Sequence, residues 1–279
     1  MSVLMIKRNL KQRATGFFTN FNYSGDMELD LTSAQARIRF LTSGVLVPKK
    51  NVNVDAWLVG GGGAGRAKSG TSAMGSGGGS GYTKTVKGIE LIAGNEYEIV
   101  IGAGAVPPPI YVGGESGGDT TAFGFFAPGG YSAGSRLYSD GWEISPSIGG
   151  DGASGGGCGS RAFGTSGGMG GSNGADGNNS NNPIEDDNEK PGYGLGISTT
   201  EFGEGIGRVY AAGGSGGSHD GTIVPGAEGG GGATGADGEP NTGSGGGGEG
   251  AVIGEDGIVS YIGPGSGGSG IVIIRKVVS

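Results

Sequence analysis

The sequence predicts a mainly β protein. We expect a small antiparallel β-sandwich of jelly-roll type, completed by a C-terminal strand, with an inserted bundle of glycine-rich polyproline II helices and long loops. Three observations predict it. Short alternating apolar segments and turn signals open the chain. Glycine supplies 72 of the 279 residues, and only three of these glycines precede Gly60. The last ten residues return to an apolar strand pattern.

The first strands lie between residues 17 and 59. The segments 27–31 and 36–41 alternate apolar and polar residues, and in the second we expect Ile38 and Phe40 to face inward. Regularly spaced short strands favour a sandwich or jelly roll.

Two more apolar groups complete the same sheets, because they are too apolar to remain in solvent. They are residues 82–101 and 270–278. The predicted sandwich therefore spans residues 17–101, and residues 270–279 return to it as the C-terminal strand.

The inserted segment, residues 102–269, has almost no strand or helix signal, yet glycine recurs there every third residue. A glycine inside a helix costs about 1 kcal/mol relative to alanine, which excludes helices here. A period of three is that of the polyproline II helix, and glycine on one face lets backbones approach closely. A disordered spacer is the alternative, but it does not account for ordered strands on both sides. One such series is Gly226, Gly229, Gly232, Gly235 and Gly238.

Charge divides the chain into two parts. Residues 1–87 carry 12 Lys/Arg and 4 Asp/Glu, whereas residues 88–279 carry 6 and 22. The basic segment 1–16 predicts an anchor that docks onto an acidic protein surface. A solvated tail and nucleic-acid binding are the alternatives, and the acidic remainder of the chain disfavours nucleic acid. The anchoring residues are predicted to be Lys7, Arg8, Lys11 and Arg13.

Several classes of protein are excluded by composition. Cys158 is the single cysteine, so the chain has no internal disulfide framework. Neither a signal peptide nor an apolar run of about 18 residues is present, so we expect no membrane insertion. Proline, at 11 residues, is too rare for collagen.

Catalytic and metal motifs are weak. Gly60-x-Gly62-x-x-Gly65 matches a dinucleotide fingerprint, but no helix pattern follows it to hold a pyrophosphate. The Asp-Gly repeats lack the tandem spacing of calcium β-rolls. His219 is the only histidine, and Asp140 with Glu143 is the best carboxylate pair for sugar hydrolysis. We expect no enzyme activity, no cofactor and no metal.

Aromatic residues beside polar groups mark the long loops and fit a recognition surface. The alternative is that these aromatic rings cap the glycine-rich bundle, which has few side chains of its own. The predicted receptor-binding residues are Tyr111, Tyr131, Arg136, Tyr138, Trp142, Tyr193, Phe202 and Tyr210.

Four blocks of sequence carry a resemblance to a known family. They are Phe40–Gly44 with Val54–Gly65, Gly77–Tyr82 with Ala93–Gly104, Gly117–Gly124, and Gly267–Arg275. Their order and spacing resemble a glycine-rich domain family of bacteriophage tail fibre and virion proteins. More loosely, the chain is similar to the tip adhesins of T-even-like phages, which pack polyproline II helices into a sandwich and bind the receptor through distal loops.

The resemblance implies a virion structural protein, anchored to other virion proteins by its N-terminus. Its loops would bind a bacterial surface glycan or outer protein, and fibre proteins of this kind are often homotrimers. A virion decoration or minor capsid or tail protein without a specific receptor is the alternative. An ice-binding bundle would need a flat, regular face, which the acidic and aromatic loops disfavour.

Overall fold

The computed structural model describes residues 19–30, 36–67, 74–107, 115–138, 141–144, 149–157, 159, 199–204 and 207–277. For residues 135–138 and 141–144 it describes the backbone only. Among the described residues, no helix has the length and apolar character that crossing a membrane requires.

Two five-stranded antiparallel sheets form the framework, which confirms the predicted mainly β sandwich. The first sheet has the order β1 (Phe21–Tyr23), β4 (Gly44–Pro48), β7 (Tyr97–Val100), β8 (Thr120–Ala122) and β9 (Phe125–Ala127). The second has the order β2 (Met27–Asp30), β3 (Arg37–Phe40), β16 (Ile271–Lys276), β5 (Val52–Val59) and β6 (Thr83–Leu91).

The hydrophobic core lies between these sheets. As the alternation of β3 predicts, Ile38 and Phe40 are fully buried there. They meet Phe21, Leu46 and Ile99 from the first sheet. The C-terminal strand β16 lies in the middle of the second sheet, paired antiparallel with both β3 and β5. This strand is therefore an integral part of the core.

The segment 102–269 contains more strand than the sequence pattern indicates. Besides β8 and β9, which belong to the first sheet, the described residues of this segment form three separate two-stranded ladders. These ladders are β10 (Ser135–Tyr138) with β11 (Gly141–Ile144), β12 (Thr199–Thr200) with β13 (Val209–Tyr210), and β14 (Gly250–Ile253) with β15 (Val259–Ile262). A single 3₁₀ turn, Glu201–Gly203, separates β12 from β13.

The glycine-rich runs bond to one another with a period of three. Successive N–H groups of residues 77–82 donate in rotation to three different neighbouring runs, which is the geometry expected for three residues per turn. Along each neighbour the acceptor steps back by three residues, so these pairs run antiparallel. The pairs are Gly77 and Ser80 with Gly157 and Ser154, Gly78 and Gly81 with Gly246 and Gly243, and Gly79 and Tyr82 with Tyr131 and Pro128.

Close approach between backbones explains the glycine content of these runs. A methyl group on Gly62 would overlap the carbonyl oxygen of Ser244, and one on Gly79 would overlap that of Asp151. The bundle is therefore held by backbone hydrogen bonds in place of side-chain packing. It also includes residues 60–66. The Ala64 N–H donates to the Ser132 hydroxyl, and the other N–H groups of this segment donate to carbonyls in the ranges 76–82, 118 and 265–268.

Candidate functional site

An aromatic groove opens at one edge of the sandwich, where the edge strand of each sheet comes close to the other. β9 is the outer strand of the first sheet, and β6 is the outer strand of the second. The groove between them has a volume of about 500 Å³. Its lining consists of Tyr82, Thr83, Lys84, Gly124, Phe125, Phe126, Pro128 and Tyr131.

The hairpin of β8 and β9 presents the most exposed rings of this groove. A two-residue turn, Phe123–Gly124, joins the strands, and both residues have positive φ, 56° and 81°. Positive φ at both positions is typical of the type I′ turns that match strand twist. The Phe123 ring packs edge-on against Tyr97, with centroids 6.0 Å apart. Phe125 and Phe126 are left 38% and 60% exposed.

A second depression of about 460 Å³ lies on the other side of the same hairpin. It shares Phe125 and Phe126 with the groove, and its polar lining includes the exposed carboxylates Glu96 and Glu98. The groove, by contrast, has the exposed cation Lys84 at its rim. The hairpin is thus an aromatic ridge with opposite charges on its two sides.

Tyr82 forms the half-buried wall of the groove. Burial, followed by the nearby Asp151 and Tyr131, raises the pKa of Tyr82 to about 12. Its hydroxyl therefore stays protonated at neutral pH and is able to donate a hydrogen bond. The Tyr82 N–H donates to the Pro128 carbonyl at 2.9 Å, which fixes the two sides of the groove to each other.

Among the predicted receptor-binding residues whose side chains the structure describes, Tyr131 lines this groove. Four residues later the chain enters the β10–β11 hairpin, where Arg136 is opposite Glu143 and Leu137 is opposite Trp142. The hairpin also includes Tyr138, opposite Gly141. The predicted residues Tyr111 and Tyr193 and the predicted anchors Lys7, Arg8, Lys11 and Arg13 lie outside the described residues.

The structure corrects the prediction at two positions, Phe202 and Tyr210. Both side chains are buried, at 8% and 0% exposure, so neither is presented to a receptor. They cover the outer face of the second sheet, where Tyr210 packs edge-on against Trp57 with ring centroids 5.0 Å apart. The physical reason is that this face of the sheet is apolar at Trp57 and Ile273 and needs a cover.

An arginine cluster lies beside these aromatic rings. Arg37, Arg39 and Arg275 share one face of the second sheet, because residues two apart on a strand point the same way and Arg275 pairs with Arg37. Glu201, only 1% exposed, pairs with Arg37 and with Arg39, the latter at 2.8 Å. It also accepts a 2.6 Å hydrogen bond from the Tyr210 hydroxyl.

Further carboxylates surround the arginine cluster. Asp30 lies 2.7 Å from Arg39, and Asp55 lies 3.1 Å from Arg275. Glu204 pairs with both Arg37 and Arg275. The Arg275 guanidinium also stacks over the Phe202 ring at 4.2 Å. Desolvation lowers the pKa of Arg37 from its usual value. This network fastens residues 199–204 and Tyr210 to the sandwich and has a structural role.

Acid is expected to loosen this attachment through Glu204. The hydrogen bond from Arg275 holds the pKa of Glu204 below its ordinary value of 4.5. A depressed pKa contributes stability above pH 4.5 that is lost as the pH falls below it. Glu204→Gln should be less stable than the wild-type protein by about 1 kcal/mol at pH 7. Urea unfolding between pH 7 and 3 should show the two proteins converging, and parallel curves would contradict this assignment.

Metal and nucleotide chemistry finds no support among the described residues. They contain no group of three or more His, Cys, Asp or Glu side chains placed to hold a metal ion. Gly60, Gly62 and Gly65 of the formal dinucleotide fingerprint donate their N–H groups to carbonyls of Tyr82, Gly268 and Gly265. Those N–H groups are therefore committed to the bundle.

Of the eight lining residues of the groove, sequence reasoning predicted only Tyr131, and the aromatic residues that it missed are Tyr82, Phe125 and Phe126. The available signal was the segment Thr120–Ala127, in which a glycine interrupts an apolar run in the manner of a hairpin turn. A phenylalanine at the first turn position weakened that signal, because Asn, Asp and Gly are the residues typical of such a turn.

A comparison with family models gives one match, described as a glycine-rich domain, over residues 41–276. The match begins directly after β3 and includes all of β16 and the glycine-rich segments between them. The comparison with curated proteins gives no match.

Proposed function

The chain belongs to the glycine-rich domain family, and from this premise we propose that it is a bacteriophage virion structural protein of the tail fibre or adhesin type, which binds a host cell surface through its loops. The bundle supports this proposal. Its interior consists of backbone segments that are hydrogen-bonded to one another. Side chains able to recognise a ligand therefore lie at the periphery of the bundle. Loops on a rigid scaffold are where proteins place binding residues.

The remaining parts of the proposal concern attachment and assembly. Residues 1–16, with Lys7, Arg8, Lys11 and Arg13, would anchor the protein to other virion proteins through an acidic surface. The protein would act in the virion after synthesis in the host cytoplasm, as a homotrimer, without enzyme activity, cofactor or nucleic acid.

A decoration or minor capsid or tail protein without a specific receptor is the second candidate. The β14–β15 hairpin favours it, because Ile258 is 65% exposed and Ile253, Val259 and Tyr261 are each nearly half exposed. An apolar projection of this kind fits a constant protein–protein contact within a particle.

Binding of fluorescently labelled protein to a panel of intact bacterial strains tests the proposal. The test variant replaces five predicted loop residues by alanine and leaves the buried Phe202 and Tyr210 intact. We expect strain-selective binding by the wild-type protein and at least about a tenfold loss in the variant, since interface hot spots exceed 1 kcal/mol each. The replaced residues are Tyr111, Arg136, Tyr138, Trp142 and Tyr193.

A matched control separates the two candidate functions. Ile258→Ser alters the apolar β14–β15 hairpin and should leave cell binding unchanged under the adhesin proposal. Folded wild-type protein that binds no strain would contradict adhesion and favour decoration. Incorporation into particles would then be measured for Ile258→Ser and for a variant with the four basic anchor residues replaced by glutamine.

A further inference from the structure

We propose that the β8–β9 hairpin and the two depressions beside it form a binding site for the pyranose rings of a cell-surface polysaccharide. The inference rests on the proposed function, because it names the ligand class of a host-binding protein. The site differs from the predicted loop residues in all but Tyr131.

Aromatic surface is the first argument. Phe126 is 60% exposed. Burying apolar surface stabilises a protein by about 25 cal/mol for each Å², so an exposed ring forgoes that free energy until a ligand covers it. It stands beside Phe125, Tyr82, Tyr131 and Pro128, so the apolar surface is contiguous. One face of a pyranose ring carries mainly C–H groups. Such a face packs on the negative face of an aromatic ring.

The polar groups supply the second argument. A sugar presents hydroxyls that both donate and accept hydrogen bonds, so its site needs partners of both kinds. The carboxylates of Glu96 and Glu98 accept only, and they lie on one side of the ridge. The ammonium of Lys84 donates only and lies on the other side, where the lining residue Tyr82 adds a hydroxyl of the kind that both donates and accepts. These donors and acceptors together match the hydroxyl groups of a sugar.

The dimensions fit a chain of sugars. The two depressions, of about 500 and 460 Å³, share Phe125 and Phe126, so they are adjacent and separated by the ridge alone. Each volume is in the range of small-molecule pockets. A linear saccharide crossing the ridge would place one unit or more on each side and stack across Phe126.

An extended peptide fits the same place less well. β9 has only three residues, and in a two-residue hairpin the flanking Ala122 and Phe125 form the hydrogen-bonded pair. Phe126 alone then directs its N–H and C=O away from β8. A peptide added at this edge would gain at most two ladder hydrogen bonds, too few for strand addition.

The site is also preorganised, which lowers the entropy lost on binding. The Gly129 N–H donates to the Asp119 side chain at 3.0 Å, just after β9 ends. Together with the bond between Tyr82 and Pro128, this fixes both walls of the groove. The turn of the hairpin is also fixed, because the Phe123 ring packs edge-on against Tyr97.

The test uses the full chain and polysaccharide extracted from the strain that binds best in the cell panel, with commercial dextran as the unrelated probe. Phe126→Ala is the test variant, and its exposure makes a folding defect unexpected. Ile258→Ala, equally exposed on the β14–β15 hairpin, is the matched control. We expect Phe126→Ala to weaken binding to the extracted polysaccharide by about tenfold, as loss of one stacking contact does, and Ile258→Ala to leave it unchanged.

Each outcome decides one point. Equal binding by Phe126→Ala and Ile258→Ala would overturn the site while leaving host adhesion in place. Cell binding that protease treatment of the cells abolishes and periodate oxidation of their sugars does not would overturn the ligand class and favour a protein receptor. Absence of wild-type binding to every strain would contradict the proposed function itself, and the polysaccharide proposal would fail with it.

Discussion

Replacing Glu201 by glutamine is expected to lower the free energy of unfolding by about 3–5 kcal/mol. The side chain is 1% exposed and faces Arg37 and Arg39, so the substitution removes the carboxylate that these two buried guanidinium groups share. Glutamine has the size of glutamate and is still able to accept the hydrogen bond from the Tyr210 hydroxyl. The loss of unfolding free energy therefore reports the removed charge more than a change in packing. A typical domain has only about 5–15 kcal/mol of stability.

Urea unfolding followed by tryptophan fluorescence is the measurement, because Trp57 is buried against Tyr210 beside this network. Glu239→Gln is the matched control. It breaks an ion pair with Arg208 at 3.1 Å whose side chains are about half exposed, and such pairs are worth at most about 1 kcal/mol. A loss below about 1 kcal/mol in Glu201→Gln as well would show that Asp30 and Glu204 satisfy the arginines without it.

The sandwich could be predicted from the sequence because its signals are local. In β3 the alternation of Ile38 and Phe40 with arginines identifies the inward face within four residues. In β16 four consecutive apolar residues indicate a strand buried on both sides, and the structure places this strand in the middle of its sheet. The alternation within a strand can be recognised without knowing which strands pair with it.

The cover over the second sheet could not be predicted, because its contacts are remote in sequence. Alternation in β3 gives Arg37 and Arg39 the outward face, and the sequence offers no reason for that face to be buried. Glu201, the carboxylate that Arg39 shares with Arg37, lies 162 residues away from Arg39 along the chain. For the same reason the sequence predicts a recognition loop at Phe202, whereas its ring lies beneath the Arg275 guanidinium.

The candidate groove was predicted only in part for a related reason. Tyr131 belonged to an aromatic loop and could be selected by composition. Tyr82 directly precedes β6 of the second sheet and Phe125 begins β9 of the first, and only the close approach of these two edge strands places them in one groove. Composition identifies residues with recognition chemistry, whereas the tertiary fold decides which of them share a surface.

Replacing Gly62 by alanine is expected to destabilise the protein by about 3 kcal/mol or more, a large effect for one methyl group. The added methyl would overlap the backbone carbonyl of Ser244, which has no rotamer by which to move away. Gly62 is also hydrogen-bonded on both sides: its N–H donates to Gly268 and its C=O accepts from Ala105, each at 2.9 Å. Displacing this run therefore breaks bonds to further runs.

Gly263→Ala is the matched control, because a methyl group there would meet no atom within 4 Å and the residue is exposed without a positive φ. Removing a glycine from a permissive position usually stabilises a protein slightly, by about 0.4–1 kcal/mol, through the unfolded chain. The same chemical change is therefore expected to lower the melting temperature in Gly62→Ala and to raise it slightly in Gly263→Ala, and thermal unfolding of the two variants measures both. Similar melting temperatures would contradict the packed bundle and favour independent glycine-rich loops, because only close backbone contact makes the two positions differ.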